Sequence, residues 1–255
     1  MNNEICNKVE ELYTSSIYPV CPKRQLCDNN SCFKLSEKPK MPYIGREYGN
    51  NPEIPNLMFI SLDSGIEHPD THTVKEVRES VESHPPRLDL DSGNDVGKHW
   101  YQTFDIASYI LDSYINDSIK NDVTFIDKFI VHTNSAKCTQ NKPRKELADN
   151  NLFINCRDFV LQEIALLNAQ VIISQGNQAQ DCLNRFPLVE KKILKTIHNE
   201  KNIELPIFIR KINNNNVLHI PMYHQSYYKG YWGQKKALLD NLDEVRLIIR
   251  QIQLE

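Results

Sequence analysis

Polar side chains that could do chemistry follow three of the short apolar runs in this sequence. Asp63 comes just after the run at residues 57–62, Asn134 follows the next run along the chain, and His224 follows the last. In an open α/β sheet, the working residues gather in the crevice beyond the carboxyl ends of the strands. We therefore predict that a carboxylate, an amide and an imidazole converge in one cleft, beside the aromatic and basic loop that follows His224.

The elements that must position these groups indicate an α/β fold. Continuous apolar or β-branched runs, as expected for strands buried on both faces, occur at residues 57–62, 128–133, 170–175 and 217–221. Stretches with helical spacing occur at residues 100–115, 152–167, 177–186 and 234–252. This alternation predicts a three-layer αβα architecture around a four-stranded, mainly parallel sheet with right-handed crossovers.

Two irregular segments interrupt this pattern. Residues 21–56 are rich in proline, glycine and asparagine and hold three cysteines, whereas residues 65–97 scatter proline, aspartate and histidine around a predicted short helix at 74–81. Both segments are interpreted as long functional loops of a single domain spanning residues 1–255. The asparagine run at 213–216 predicts a turn, because asparagine tolerates the left-handed conformation.

Composition excludes several classes of protein. A chain of 255 residues with 40% hydrophobic and 25% charged residues can bury a real core, which excludes a disordered tail or a small disulfide scaffold. The net charge of −3 provides no global positive field, so any binding of a polyanion must be local. The chain contains no apolar run long enough for a membrane span and begins with polar and acidic residues. We therefore expect a soluble, cytoplasmic, monomeric protein that does not bind membranes.

The cysteines suggest metal chemistry. Seven cysteines are an odd number, and without a secretion signal a disulfide framework is not favoured. The alternatives are ligation of a metal or cluster, and seven free thiols.

Several motifs carry a family resemblance. Residues 133–179 contain Asn-x-x-Lys-Cys at 134–138, Asn-Cys-Arg at 155–157, and a strand followed by Gly-x-x-Ala at 176–179. This order resembles the iron-sulfur-containing branch, often called family 4, of the uracil-DNA glycosylase superfamily. The tail PMYHQSYY is similar to the family's His-Pro-Ser-Tyr motif, and Gly-Lys-His-Trp at 97–100 is similar to its Gly-Arg-Pro-Phe element. The resemblance extends from Cys27 to the C-terminus.

The resemblance implies a monofunctional DNA glycosylase that hydrolyses the N-glycosidic bond of uracil, or of a modified pyrimidine, flipped out of DNA. Asp63 would orient water and offset positive charge on the sugar, and His224 would donate to the leaving base. Trp100 would stack on the flipped base and Asn134 would read its edge. The remaining contacts to DNA would be made by Ser64, Gly65, Ser226 and Tyr227. Both DNA repair and attack on modified foreign DNA would use this chemistry.

The resemblance also implies a [4Fe-4S] cluster, with zinc as the alternative. Cys138 and Cys156, with 17 residues between them, match the spacing of the family's second ligand pair, and Cys27 with Cys32 would be the first pair. The family usually has Cys-x2-Cys at this first pair, whereas Cys21, Cys27 and Cys32 are spaced more widely here. Which two of these three thiols bind the cluster therefore stays open.

The sequence also departs from the family pattern. The catalytic turn is Ser-Leu-Asp-Ser-Gly, and Gln225 replaces the proline after the histidine. The inserted segment 65–97 predicts a larger lid, which would suit a bulky modified base, although a lid over uracil would look the same in the sequence. The alternatives to an enzyme acting on DNA are a catalytically inert nucleic-acid-binding member of the same fold and a small-molecule nucleoside hydrolase. The near-neutral charge predicts modest DNA affinity, which would fall steeply with salt only if a local basic patch forms around Lys98, Lys137, Lys229, Lys235 and Lys236.

Overall fold

A computed structural model describes residues 3–17, 21–29, 35–36, 39–62, 73–83, 95–115, 123–139, 148–224 and 227–255. Its strands are β1 (Tyr43–Ile44), β2 (Leu57–Ser61), β3 (Ile130–Asn134), β4 (Val171–Gln175), β5 (Leu188–His198), β6 (Lys201–Ile212) and β7 (Asn215–Met222). Its helices are α1 (Asn3–Ser16), α2 (Arg24–Asn29), α3 (Val74–Ser83), α4 (Asp95–Leu111), α5 (Val123–Ile126), α6 (Asn150–Leu167), α7 (Asn177–Leu183), α8 (Tyr228–Asp240) and α9 (Leu242–Leu254). A short 3-10 helix, Asp127–Phe129, precedes β3.

The four predicted strands form the centre of the sheet. They are β2, β3, β4 and β7, and they lie side by side in the order β3-β2-β4-β7, with all three pairings parallel. Buried apolar residues fill these strands, as their continuous apolar sequences predict. The carboxyl ends of these strands therefore meet at one edge of the sheet.

The prediction of a four-stranded, mainly parallel sheet is wrong. Within the described residues the sheet has seven strands in the order β1-β3-β2-β4-β7-β6-β5, and three of its six pairings are antiparallel. The sequence LVEKKILKTIH of β5 carries lysines between its apolar residues, because this edge strand is largely exposed. A half-exposed strand of this kind lacks the continuous apolar run by which the central strands were predicted.

Alternation of side chains along the central strands separates two hydrophobic layers. Leu57 and Phe59 face one side, where they pack with apolar residues of α4, α8 and α9. Met58 and Ile60 face the other side, where they pack with residues of α1, α6 and α7. Helices therefore cover both faces of the sheet, in the predicted order of helix, sheet and helix.

Three of the four predicted long helices are present as α4, α6 and α7, and the fourth differs. The single helix predicted at 234–252 is two helices, α8 and α9, separated at Asn241. The side chain of Asn241 donates to the carbonyl oxygens of Lys195 (3.0 Å) and Ala237 (2.8 Å), and its own backbone leaves the helical conformation. The predicted asparagine turn is present, with Asn213 and Asn214 at φ of 50° and 68° between β6 and β7.

Part of the inserted segment 65–97 is described. The predicted short helix is present as α3, and it lies against β1, because the Arg78 guanidinium donates to the Ile44 carbonyl at 2.8 Å. The remainder of the segment before α4 lies outside the described residues, so the lid stays a prediction.

No helix in the described ranges is both long enough and apolar enough to cross a membrane.

Candidate active site

The ends of β2 and β3 position the amide predicted to read a base. Asn134 is the last residue of β3 and is paired in register with Ser61, the last residue of β2. Beyond the strands, the backbone N–H of Ser135 donates to the Ser61 carbonyl at 2.8 Å, and that of Ala136 donates to the Leu62 carbonyl at 3.2 Å. Asn134 is therefore held beside the segment that leads into the predicted catalytic turn. The turn residues Asp63, Ser64 and Gly65 lie outside the described residues.

His224 lies at the same edge of the sheet, two residues beyond the end of β7. The Gly176 N–H, just after β4, donates to the Met222 carbonyl at 2.8 Å, which joins the ends of these two strands. The His224 carbonyl accepts from the Tyr227 N–H at 2.9 Å, and the imidazole is partly buried. The neighbouring Ser226 is outside the described part of the chain.

An exposed pair of tyrosines borders His224. The rings of Tyr223 and Tyr227 meet edge to face with 5.0 Å between their centroids, and they are 41% and 60% exposed. Both rings lie against Gly230, where a Cβ atom would stand 2.4 Å from Tyr227 and 2.6 Å from Tyr223. Tyr227 was a predicted DNA contact, whereas Tyr223 was not predicted.

Helix α4 brings Trp100 toward this edge. The backbone of Trp100 lies in the first half of α4, one turn before Thr103. The Thr103 hydroxyl accepts from the Gln175 side chain, at 3.2 Å, at the end of β4. The side chain of Trp100 is outside the described atoms, so its stacking role stays a prediction.

A buried chain of hydrogen bonds lies beneath the strand ends and was missed by the sequence analysis. His132 Nε2 and Ser61 Oγ are 2.9 Å apart, Ser61 Oγ donates to Gln175 Oε1 at 2.7 Å, and Gln175 Nε2 donates to Thr103. A signal was present in the sequence, because Ser61, His132 and Gln175 are polar residues near the ends of apolar runs. Only the observed register places all three on one face of the sheet.

Three of the four predicted cluster ligands lie in one region. Cys27 and Cys138 are buried in a small apolar cluster with Leu152 and Phe153, and Cys156 is partly buried nearby. Cys32 is outside the described residues. The structure brings Cys21 close as well, since its thiol is near enough to raise the pKa of Cys27, Cys138 and Cys156.

Burial governs the acidity of these thiols. It raises the pKa of Cys138 to about 12 and that of Cys156 to about 11, and the neighbouring sulfur groups add to both shifts. Two donors point at the sulfur atoms: the Lys137 N–H lies 3.4 Å from Cys156 Sγ, and the Asn155 amide lies 3.3 Å from Cys27 Sγ. No three His, Cys, Asp or Glu side chains in the described ranges converge closely enough to hold a single metal ion.

The remaining two described cysteines lie in helices α7 and α1. Cys182 is buried in α7, where burial raises its pKa to about 11. Cys6 is partly buried in α1, and the Arg78 guanidinium donates to its sulfur at 3.6 Å.

Three of the five lysines that could form a basic patch are paired within the protein. Lys137 is buried, and its ammonium group contacts Glu163 and Thr133 instead of the surface. Lys235 is also buried and is paired with Asp105, while Lys236 forms an ion pair with Asp240. Intramolecular carboxylates therefore neutralise three of the five lysines, and the side chains of Lys98 and Lys229 are not described.

The fold and the site together define a class: a three-layer α/β protein whose polar groups gather at the carboxyl edge of its parallel strands. A family model for the uracil DNA glycosylase superfamily matches residues 95–246, well over half of the chain, and the chain belongs to that superfamily. The matched region contains Trp100, Asn134 and His224, whereas Asp63 precedes it. A search of curated proteins returns no match.

Proposed function

We propose that this protein is a monofunctional DNA glycosylase that hydrolyses the N-glycosidic bond of uracil, or of a modified pyrimidine, flipped out of DNA. One observation carries the proposal: in a chain of this superfamily, Asn134 ends β3 beside the segment that enters the Asp63 turn. His224 follows β7 at the same edge of the sheet.

These residue types suit the reaction. Breaking an N-glycosidic bond develops positive charge on the sugar and negative charge on the leaving base. The Asp63 carboxylate would orient the attacking water and offset the positive charge, and His224 would donate to the base. The Asn134 amide, which offers one acceptor and two donor hydrogens, would read the edge of the base.

The other predicted contacts hold the DNA. Trp100 would stack on the extruded base, which helps to recover the few kcal/mol that extrusion costs. Ser64, Gly65 and Ser226 would donate to flanking phosphates, and Tyr227 would pack against the strand at the rim of the site.

We also propose that the thiols hold a [4Fe-4S] cluster, with Cys138 and Cys156 as one pair and Cys27 in the other. Cys21 is the alternative to Cys32 as the fourth ligand, since its thiol lies within electrostatic range of the other three. Four thiolates suit a [4Fe-4S] cluster, and zinc is the alternative that the same ligand type would allow. When bound, the cluster would tie the N-terminal segment to the chain that follows Asn134.

A base-release assay tests the enzyme proposal. Anaerobically purified protein is incubated with single- and double-stranded oligonucleotides that carry uracil, hypoxanthine or a hypermodified pyrimidine, and free base is detected by mass spectrometry. We expect Asp63→Asn and Asn134→Ala to lose release, with the DNA affinity of Asp63→Asn unchanged. The control is Asn202→Ala, which changes an exposed asparagine on β6 and should release base normally. Binding of DNA without release by the natural sequence would instead support the inert binding protein.

Iron analysis tests the ligand set. Replacing Cys27, Cys138 or Cys156 by serine should remove iron and the brown colour, and Cys182→Ser should retain both. Comparing Cys21→Ser with Cys32→Ser identifies the fourth ligand, because only the true ligand should be needed for iron. Full iron content in every variant would overturn the cluster proposal.

A further inference from the structure

We propose that His132, Ser61, Gln175 and Thr103 form a positioning network, here called the polar floor, that fixes the catalytic turn relative to the base-stacking helix. This inference rests on the proposed function, because it assigns roles to residues beneath the same site. None of the four residues touches substrate in this account. They act through the backbone segments to which they belong.

Each residue of the polar floor donates a hydrogen bond to the next, in the order His132, Ser61, Gln175 and Thr103. Ser61 donates its only hydroxyl hydrogen to Gln175, so Ser61 Oγ accepts from His132 Nε2–H. Gln175 then uses its amide hydrogen to reach Thr103. The chain therefore links β3 to β2, β2 to β4, and β4 to α4 through three consecutive bonds of 2.9, 2.7 and 3.2 Å.

Three of the four members lie within three residues of a predicted functional position. Ser61 is two residues before Asp63, His132 is two residues before Asn134, and Thr103 is one helical turn after Trp100. Gln175 precedes Gly176, which adopts φ of 101° and whose Cβ would meet the Leu62 side chain at 2.8 Å. The polar floor thus connects every segment that carries a predicted active-site residue except the His224 loop.

Burial makes the arrangement sensitive to small shifts. All four side chains are buried. Sliding one strand would leave buried polar atoms unsatisfied, which is costly in an apolar interior. Apolar side chains could pack in several arrangements, whereas this directional chain permits only one placement of the three strand ends.

The opposite face of the sheet provides a matched comparison. Ser174, next to Gln175 in β4, forms a similar buried pair with His219, with 2.8 Å between Ser174 Oγ and His219 Nε2. His219 in turn accepts from Arg210, whose guanidinium reaches the chain after α7. This second serine–histidine pair therefore lies on the face of the sheet away from Asn134 and connects to the helix layer there.

Kinetics of base release test the role of the polar floor. We expect Ser61→Ala and Gln175→Leu to lower kcat by about 10- to 100-fold, the range expected for a displacement of about 1 Å. The KM and the affinity for DNA containing an abasic analogue should stay within about twofold. Ser61→Thr, which keeps the hydroxyl, should restore kcat, and Ser174→Ala should leave it unchanged. Equal losses for Ser61→Ala and Ser174→Ala would show a merely structural role and overturn the inference.

A second readout does not depend on turnover. In 15N-histidine NMR spectra, we expect an oligonucleotide with an uncleavable substrate analogue to shift the ring signal of His132 but not that of His219. The shift should disappear in Gln175→Leu, because that variant disconnects α4 from the floor. If no base is released but the His132 signal shifts, the proposed catalytic activity is wrong, whereas the positioning network is still supported. Equal shifts for both histidines, or none for either, overturn the network.

Discussion

At the scale of single residues, a glycine at position 230 shapes the rim of the site. Gly230 leaves room for two tyrosine rings to rest on the first turns of α8, and these rings are among the most exposed aromatics described. Exposed aromatic rings beside a nucleic-acid site provide faces on which bases stack.

Adding one methyl group at Gly230 should therefore weaken DNA binding. In Gly230→Ala the new Cβ would overlap both rings, so we expect the pair to be displaced and affinity for single-stranded DNA to fall about 5- to 100-fold, as for Tyr227→Ala. Fluorescence anisotropy with a labelled oligonucleotide measures the change. Gly233→Ala on the same helix is the control, because its Cβ would meet only the flexible Ile203 side chain at 3.3 Å. Unchanged affinity in Gly230→Ala would show that the rings do not contact DNA.

The candidate site could be predicted only partly from its residues. Asn134 and His224 were found because each follows an apolar run, and a strand end is a short-range feature of the sequence. The polar floor and Tyr223 depend on which strands are neighbours and on how α8 packs, and neither is encoded locally. Lys137 belonged to a possible basic patch, and its burial against Glu163 depends on a residue of α6 that is distant in sequence.

At the scale of elements, a buried ion pair connects three parts of the fold. Lys137, just after β3, contacts Glu163 of α6, and the other Glu163 oxygen accepts from the Tyr13 hydroxyl of α1 at 2.8 Å. Burial and the Glu163 charge raise the pKa of Tyr13 well above its ordinary value. The protonated tyrosine thus holds α1 against α6.

Removing one partner of this ion pair should lower the free energy of unfolding far more than removing both partners. We expect Lys137→Met to lower the free energy of unfolding by about 3–5 kcal/mol, because it leaves the Glu163 carboxylate buried without its cation. The double variant Lys137→Met/Glu163→Leu should recover at least half of that loss. Urea unfolding of the single and double variants measures both values. Additive losses would contradict this account of the pair.

The short helix before β3 carries a buried carboxylate that should make stability depend on pH. Burial raises the pKa of Asp127 from 3.8 to about 6, and its Oδ1 atom lacks a hydrogen-bond partner within the described residues. The folded state then binds the proton more tightly than the unfolded state, so this group's contribution to stability falls as pH rises from about 4 to about 6.

Asp127→Asn removes that dependence. We expect the variant to be more stable than the natural sequence at pH 8, by up to about 3 kcal/mol, and no more stable at pH 3.5. Thermal unfolding across this range gives the difference at each pH. A difference that is the same at both ends would show that Asp127 does not titrate between them.

The sequence was sufficient to predict the strands whose residues are buried on both faces of the sheet. The central strands are buried on both faces, so their apolar runs were sufficient to find them, whereas β5 is an exposed edge and lacks that signal. The break between α8 and α9 was missed because it depends on Asn241 bonding to β5, a contact distant in sequence.

At the scale of the whole molecule, charge limits how DNA is held. The chain has a net charge of −3, and three of the five lysines that could form a basic patch are paired within the protein. Few phosphates should therefore be neutralised. We expect the logarithm of the DNA association constant to fall with the logarithm of salt concentration with a slope no steeper than about −3. Anisotropy titrations between low and physiological salt give the slope, and a value near −6 would require a basic surface that this account lacks.

Mass spectrometric detection of free base under single-turnover conditions shows whether this protein is a DNA glycosylase. We expect the natural sequence to release uracil or a modified pyrimidine from DNA, and Asn134→Ala, with unchanged iron content, to release neither. Bound DNA with no released base of any kind would contradict this proposal.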